Sequence, residues 1–508
     1  MKGAIIEGKS IKSAVREKAD VCIIGSGAGG AVVAKELAEA GLKVVVLEEG
    51  PNYSSKDYPR SAFECVSMLY RNQGLDTTIG APVVVVPTGK CLGGTTVINM
   101  GTCFRLPDYT HKKWEQMGIK GYSAKELEPY YERVEELTSV RPVGLDVMGK
   151  NGEIIAEGAK KLGLHPMPIR RNVNERCRGC GDCSIGCKQD AKESMILNYI
   201  PRAVEMGAKF YCDAKAEFIV HDKEKVLGVR GSIRDRETGI FRHAIEIGSD
   251  IVVIAAGALN TPVLLLKSEI CNSSGQVGKN LKLHLCGRAI GVFDQIIDGY
   301  KGVGQCLYID DYAELGIMLE ATFTAPGSEF PGIAGFGKEL WDDLKNYRHM
   351  ACVGVMVSDT SAGKVTVGPD GEPMMTYNTN QRDADTLKKA MLISARILFA
   401  VGAKKVFTST SCFPQIKSLV DVEKLQDLKV DATQFLLMAF HPMGTCRMGT
   451  DPKKSVVNLD MQTHDLENLY IADASVFPTS LGVNPQETIW AFATKCAENI
   501  VKKLKSKS

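Results

Sequence analysis

The chain has 508 residues, 62 Lys+Arg against 60 Asp+Glu, a formal net charge of +2, 44% hydrophobic and 24% charged residues. These are globular values: they exclude a disordered or fibrous chain, and the near-zero charge offers no field for nucleic acid or an anionic membrane surface. At roughly 100–200 residues per domain the length suggests about three domains.

Residues 1–20 carry scattered Lys, Arg and Glu without an apolar stretch. No run reaches the ~18 apolar residues of a membrane span; the longest, near 251–266, is broken by Gly257, Asn260 and Pro262. The expected setting is the cytoplasm, where the 16 cysteines stay free, catalytic or metal-bound.

In chain order, residues 19–24 read as a short buried strand, 29–40 as a helix and 42–47 as a β-branched strand, a βαβ start. Around 123–137 a helix is expected, capped by Ser123, with Leu127, Tyr130, Tyr131, Val134 and Leu137 at helical spacing. A Gly-, Asn- and Arg-rich loop with clustered cysteines follows. Residues 209–250 read as a β-meander turning at 235–239, and 250–255 as an apolar strand ending at Gly257. Alternating polarity from 291 to 367 predicts an antiparallel sheet, and 383–401 and 485–504 are amphipathic helices. No repeat or low-complexity linker separates these parts, so the domains are expected to interleave.

Gly25-Ser-Gly27-Ala28-Gly29-Gly30 follows the first strand and opens the helix, the context of a dinucleotide turn. Gly25 permits the tight turn, Gly27 lets the backbone approach a pyrophosphate, and Gly30 allows close helix–strand packing. The helix N-terminus offers unpaired N–H groups to phosphates. Glu48, at the end of the second strand, suits a ribose hydroxyl and argues against a 2′-phosphate. The turn by itself does not separate NAD from FAD.

Five further segments carry a family resemblance. They are Gly89-Lys-Cys-Leu-Gly93-Gly94-Thr95-Thr96-Val-Ile-Asn99, Ala255-Ala256-Gly257-Ala-Leu-Asn-Thr261-Pro262, Val277-Gly-Lys-Asn280-Leu-Lys-Leu-His284, His441-Pro-Met-Gly444-Thr-Cys-Arg-Met-Gly449 and Asn468-Leu-Tyr-Ile-Ala-Asp473-Ala474-Ser-Val-Phe-Pro478 with Asn484-Pro485. In this order they resemble the signatures of the glucose–methanol–choline (GMC) oxidoreductases, from residue 19 to the end of the chain. The resemblance implies an α/β fold, a Rossmann-type FAD-binding domain interleaved with a substrate domain built on an antiparallel sheet.

It also implies a division of the chain. FAD-binding parts fall at 17–105, 209–290 and 441–508, the last including the catalytic strand. A helical cap region at 106–208 holds the Cys-rich loop 172–192, and the substrate domain covers 291–440. Some relatives attach FAD covalently through a His before the Asn of the first loop; Ile98 stands there, so FAD is expected to be non-covalent.

Flavin alcohol oxidation needs a group to take the hydroxyl proton while hydride leaves carbon, and histidine titrates in the useful range. Read locally, His441 in its Pro/Gly loop is an ordinary structural histidine; the resemblance implies that it is the base, or at least orients the substrate oxygen. Its partner by resemblance is Asn484, an amide that can hydrogen-bond the oxygen but not accept its proton, which leaves the acid–base work to His441. Asn484-Pro485 also reads as a helix-start signal. Asp473 is expected to touch FAD or to cap the turn into Ala474. His284 and His464 read as hydrogen-bonded structural histidines.

Cys177-Arg-Gly-Cys180-Gly-Asp-Cys183-Ser-Ile-Gly-Cys187 has the C-x2-C-x2-C-x3-C spacing of bacterial ferredoxins, with Lys188 in place of the following Pro. An iron–sulfur cluster is the expected occupant, as 4Fe–4S, or as 3Fe–4S if Cys187 is not a ligand. Zinc and an empty structural loop stay open alternatives. With a cluster the protein is expected to be a dehydrogenase that passes electrons singly to a redox partner protein or other acceptor. Without one it is an oxidase releasing hydrogen peroxide; an electron-transfer subunit fed by a partner protein is the third reading. The substrate is expected to be a small-molecule alcohol of a kind the sequence does not identify.

Overall fold

The Gly25–Gly30 turn and an antiparallel sheet contribute two walls of one large cavity in a computed structural model that describes residues 3–324 and 332–507. The first wall is an eight-stranded sheet. Its parallel part runs Ala4–Ile6, Lys209–Tyr211, Val44–Leu47, Val15–Ile24 and Phe241–Ile254, and Leu469–Ile471 adds in parallel beside Phe241–Ile254. Val226–Arg234 and Ala214–His221 extend it antiparallel. Val21, Cys22, Ile23, Val44, Val45 and Val46 are buried on both faces, as parallel strands covered by helices must be. The helix Ala28–Glu39 crosses from the first strand to the second, so the expected βαβ unit forms with its ends shifted by a few residues.

The second wall belongs to a nine-stranded sheet centred on Leu285–Val292, Met350–Val357 and Ile317–Thr322, paired antiparallel. The antiparallel sheet expected over 291–367 forms in Ile317–Thr322 and Met350–Val357, and begins earlier than expected, at Leu285; positions 325–331 lie outside the described residues. Because side chains alternate across a strand, Leu285, Ala289, Leu319, Ala321, Val353 and Val355 enter a core shared with Leu387, Met391 and Leu398 of the helix Gln381–Ala400. Cys286, Arg288, Glu320, Thr322, Gly354 and Met356 are left to line the cavity. A one-residue slip in register would exchange these two sets.

Helices cover the two sheets, and the sequence reading shows them only in part. Ala124–Leu137 begins at Ser123 with a reciprocal cap: Glu126 N–H donates to the Ser123 hydroxyl at 3.4 Å, and Ser123 N–H donates to the Glu126 carboxylate at 3.0 Å. Leu145–Lys161, not anticipated, is interrupted at Gly149, where φ is +75°. The closing helix Gln486–Lys507 starts just after Asn484-Pro485 and buries Trp490, Ala493, Cys496 and Ile500 against the first wall's core. Among the described residues no helix is long and apolar enough to cross a membrane.

Candidate active site and cofactor cavity

The cavity holds about 580 Å³ and is walled by both ends of the chain. Gly25, Gly27, Ala28, Gly29 and Glu48 come from the βαβ unit, Gly94, Thr95 and Asn99 from the first loop, Ala256 and Gly257 from the strand end, and His441, Asp473, Ala474, Asn484 and Pro485 from the C-terminal segments. Gly30 and Gly93 are the two expected cofactor residues that do not line it. Gly30 packs the helix onto the turn, where an added Cβ would stand 1.9 Å from the Gly25 carbonyl oxygen. Gly93 takes a left-handed φ of +86°, and its N–H donates to the Ser26 hydroxyl at 3.0 Å.

The residues fit a dinucleotide. A Cβ at Gly27 would meet the Gly94 Cα at 3.9 Å and one at Gly94 would stand 3.0 Å from the Gly27 Cα, so the helix start and the flavin-type loop approach closely beside the cavity that both line. Glu48 is buried at the strand end, accepting from Ser26 N–H at 2.9 Å, the Ser26 hydroxyl at 2.6 Å and Gly50 N–H at 2.8 Å. Asp473 both lines the cavity and caps the next turn. Its carboxylate accepts from Gly257 N–H at 2.9 Å, Thr261 Oγ1 at 2.5 Å and Ser475 N–H at 2.8 Å. Burial pushes both carboxyls up, against these donors.

At the other end, His441 Nε2 lies 3.4 Å from Asn484 Nδ2, so the two expected catalytic residues stand together. Asn484 is buried and its Oδ1 has no partner among the described residues. His284 is hydrogen-bonded, as expected, and its partner is His441: the two Nδ1 atoms lie 3.3 Å apart. Burial pushes His284 down to about 3, and burial together with His284 holds His441 well below the usual histidine range. His464 behaves as expected, its Nε2 2.9 Å from the Ser455 hydroxyl.

Glu320, not singled out in the sequence reading, sits on the same wall, 5% exposed. Its Oε2 accepts from Gln305 Nε2 at 2.8 Å, while Oε1 is unpartnered among the described residues. Burial pushes its carboxyl up to about 7, with the Asn484 amide opposing. A charged residue inside the apolar run Ile317–Thr322 was the signal available.

The cysteine loop abuts the cavity through Ser184 and Ile185. Its thiols do not gather as four ligands of a single ion: among the described residues no three His, Cys, Asp or Glu side chains are placed to hold a metal ion. Each takes its own donors instead. Arg171 donates to Cys183 Sγ at 3.0 Å and to Cys177 Sγ at 3.9 Å; Ala191 and Lys192 N–H donate to Cys187 Sγ at 3.3 and 3.4 Å; Cys180 is exposed. This corrects the simple expectation of four converging ligands and fits zinc poorly, since zinc needs all four around one point. Burial pushes the Cys183 thiol up, but the Arg171 and Lys192 charges outweigh it and hold the thiol below its usual range.

Two buried cations tie this loop to the flavin-type loop. Lys192 Nζ donates to the carbonyls of Val97 (2.8 Å), Asn99 (2.6 Å) and Cys183 (2.8 Å), and Arg171 Nε and Nη2 both donate to the Met100 carbonyl. Nothing in the sequence flagged either residue.

GMC oxidoreductase family profiles match residues 66–286 and 359–493, and an NAD(P)-binding Rossmann-like domain matches 23–65. The chain belongs to the GMC oxidoreductase family. It is therefore an enzyme, an FAD-binding oxidoreductase of a family acting on CH–OH groups. An uncharacterized GMC-type oxidoreductase of Mycobacterium tuberculosis is 36% identical over 492 residues, 96% of this chain and 76% of that protein. The long-chain-alcohol oxidase FAO4B of Arabidopsis thaliana is 30% identical, covering 97% of this GMC chain and 68% of its own length. Among solved structures, a variant of Aspergillus oryzae RIB40 formate oxidase superposes with a TM-score of 0.74 at 18% identity, over 98% of this chain and 100% of that one.

Proposed function

We propose that this GMC oxidoreductase oxidises an alcohol to a carbonyl at the His441–Asn484 end of the cavity, as a dehydrogenase rather than an oxidase. The observation that carries the reading is the pairing of His441 Nε2 with Asn484 at 3.4 Å on the wall of a cavity shaped for a dinucleotide. Gly27, Gly94, Glu48 and Asp473 would hold FAD, which would supply the hydride acceptor. His441 and Asn484 fix the substrate oxygen, so that the carbinol hydrogen is aimed along the cavity. Glu48 and Asp473, whose oxygens already accept from backbone N–H groups and hydroxyls, are assigned to the cofactor.

The dehydrogenase reading draws on Cys177, Cys180, Cys183 and Cys187. A cluster bound there would supply one-electron transfer to an outside acceptor, such as a redox partner protein. In a 4Fe–4S cluster each thiolate binds a different iron, so the sulfurs need not converge on one point. Supporting it are the ferredoxin spacing, the N–H and guanidinium donors already aimed at three sulfurs, and the contact of Ser184 and Ile185 with the cavity.

An anaerobic absorption spectrum of the purified protein with iron and zinc analysis tests this. Flavin bands over broad cluster absorption, with three or four irons per chain, are expected. Flavin bands without iron would refute the relay and favour peroxide-forming oxidase chemistry; the Arabidopsis relative is named a long-chain-alcohol oxidase.

A further inference from the structure

Three buried polar atoms of residues that line the cavity have no partner among the described residues: Asn484 Oδ1, Glu320 Oε1 and Thr322 Oγ1. Each such atom costs about 1–3 kcal/mol, which a ligand recovers only by supplying hydrogen bonds. Asn484 belongs to the pair that fixes the reacting oxygen. Glu320 and Thr322 come from a different element, the strand Ile317–Thr322, where a spacing of two residues puts both on the cavity face.

Beside them the wall has a notch. Glu320 is in register with Gly354, and Gly354 with Arg288, on three neighbouring strands. Registered residues share a face, so a carboxyl and a guanidinium flank a glycine, their backbones about 10 Å apart across two strand spacings. All three line the cavity. An added Cβ at Gly354 would stand 3.0 Å from Thr322 Oγ1, so the absent side chain is what keeps that hydroxyl clear.

The Glu320 carboxyl is held in place from one side. Gln305 Nε2 donates to its Oε2 at 2.8 Å, and Gln305 Oε1 accepts from Thr102 Oγ1 at 2.7 Å. One oxygen is thereby tied to the wall and the other is left for a ligand. The neighbour of the carboxyl toward the reacting end is the Asn484 amide. A hydroxyl bound by Glu320 therefore sits next to the oxygen that His441 and Asn484 fix, as hydroxyls on adjoining carbons do.

A carboxyl oxygen accepts from a hydroxyl, and a threonine hydroxyl both accepts and donates. A plain alkyl chain laid against these groups satisfies neither, and leaves a buried carboxyl oxygen without a partner. Sites built to hydrogen-bond a hydroxyl reject the analogue lacking it far more strongly than an apolar pocket separates chain lengths. On the alcohol-oxidation reading above, we propose that Glu320 and Thr322, beside the Gly354 notch, bind a second hydroxyl of the substrate, so that the substrate class is an alcohol with a hydroxyl on the adjoining carbon rather than a simple alkanol.

The test is anaerobic stopped-flow reduction of the flavin in the holoenzyme by a matched pair, butane-1,2-diol and butan-1-ol. The rate constant per unit concentration should be at least about 10²-fold higher for the diol. Thr322→Val, of the same shape, and Gly354→Ala, which closes the notch onto the hydroxyl, should each cut the diol-to-alkanol ratio about tenfold. Gly354 lies in the extended strand Met350–Val357, a backbone that alanine adopts, so that variant should fold. Equal wild-type rates, a preference for butan-1-ol, or a ratio that neither variant changes would overturn the proposal. A second pair, pinacol and 2,3-dimethylbutan-2-ol, has only tertiary carbinols and cannot be oxidised to a carbonyl by hydride loss. Titrated into the oxidised holoenzyme and followed by flavin absorption, the diol should bind about tenfold tighter. If no alcohol reduces the flavin while pinacol keeps this advantage, the alcohol-oxidation reading falls and the second-hydroxyl site stands; equal binding of the two overturns the site.

Discussion

Alanine at Gly27 and alanine at Gly30 should have separable effects, although the two glycines share one turn. At Gly30 the added Cβ would sit 1.9 Å from the Gly25 carbonyl oxygen, a backbone atom inside the same turn. Reaching even a 3.0 Å contact requires the helix start to withdraw by about 1.1 Å, the difference of the two distances. Overpacking of this kind costs ~1–3 kcal/mol. At Gly27 φ is −71°, which alanine adopts without strain, and the nearest atom to a Cβ is the Gly94 Cα at 3.9 Å, an ordinary contact at the cavity wall. Gly27→Ala should leave the urea midpoint of the FAD-free protein unchanged while weakening FAD about 10–100-fold, or ~1.4–2.8 kcal/mol. Gly30→Ala should lower the midpoint of the FAD-free protein itself. Urea titration of both apo variants, with FAD titration by flavin fluorescence, separates the two outcomes. A Gly27→Ala protein that unfolds early, or a Gly30→Ala protein with a wild-type midpoint, would refute the assignment of the two glycines to cofactor and packing.

His441→Ala should keep FAD but lose at least about 10²-fold in stopped-flow flavin reduction by alcohol, the usual cost of deleting a donor to a developing oxyanion. Glu320 is raised to about 7 by burial from an ordinary 4.5, so the unfolded chain releases its proton first as pH rises. The native state therefore loses up to ~3 kcal/mol between about pH 4.5 and 7 through this group, having kept it fully below that window. Glu320→Gln should remove that loss, gaining on wild type at pH 8 relative to pH 5 in denaturant titrations; an equal difference at both values would contradict it. Lys192→Met leaves the carbonyls of Val97, Asn99 and Cys183 without their donor and should cost about 3 kcal/mol or more, with FAD shed on gel filtration. A stable, FAD-replete methionine variant would count against the tie between the two loops.

The βαβ unit, the meander and the long amphipathic helices were legible in the sequence because periodicity and turn residues agree there. The helix Leu145–Lys161 was not, since Gly149, Asn151 and Gly152 mask its period and only tertiary packing holds it. Ordered motifs placed His441 and Asn484 together and His284 read as hydrogen-bonded, yet its partner His441 was not legible, because a motif shows a residue type and not its partner. Glu320 came to the cavity only through strand register, and Arg171 and Lys192 through long-range folding that leaves no local trace. The cysteine spacing was plain, but the separate donors that each thiol finds come from elements far along the chain.

The strand Leu469–Ile471 slots beside Phe241–Ile254 only after more than two hundred intervening residues have been made. Until then the central sheet keeps an unpaired border, and Asp473 and Asn484, which finish the cofactor cavity, do not yet exist on the ribosome. The complete cavity wall therefore forms only once residues 473 and 484 have been made. During that interval the edge of residues 252–254 that later bonds Leu469–Ile471 stands unpaired, the kind of border on which other strands can pair wrongly. Cofactor supply would then act late, as the final step that seals the two ends of the chain together.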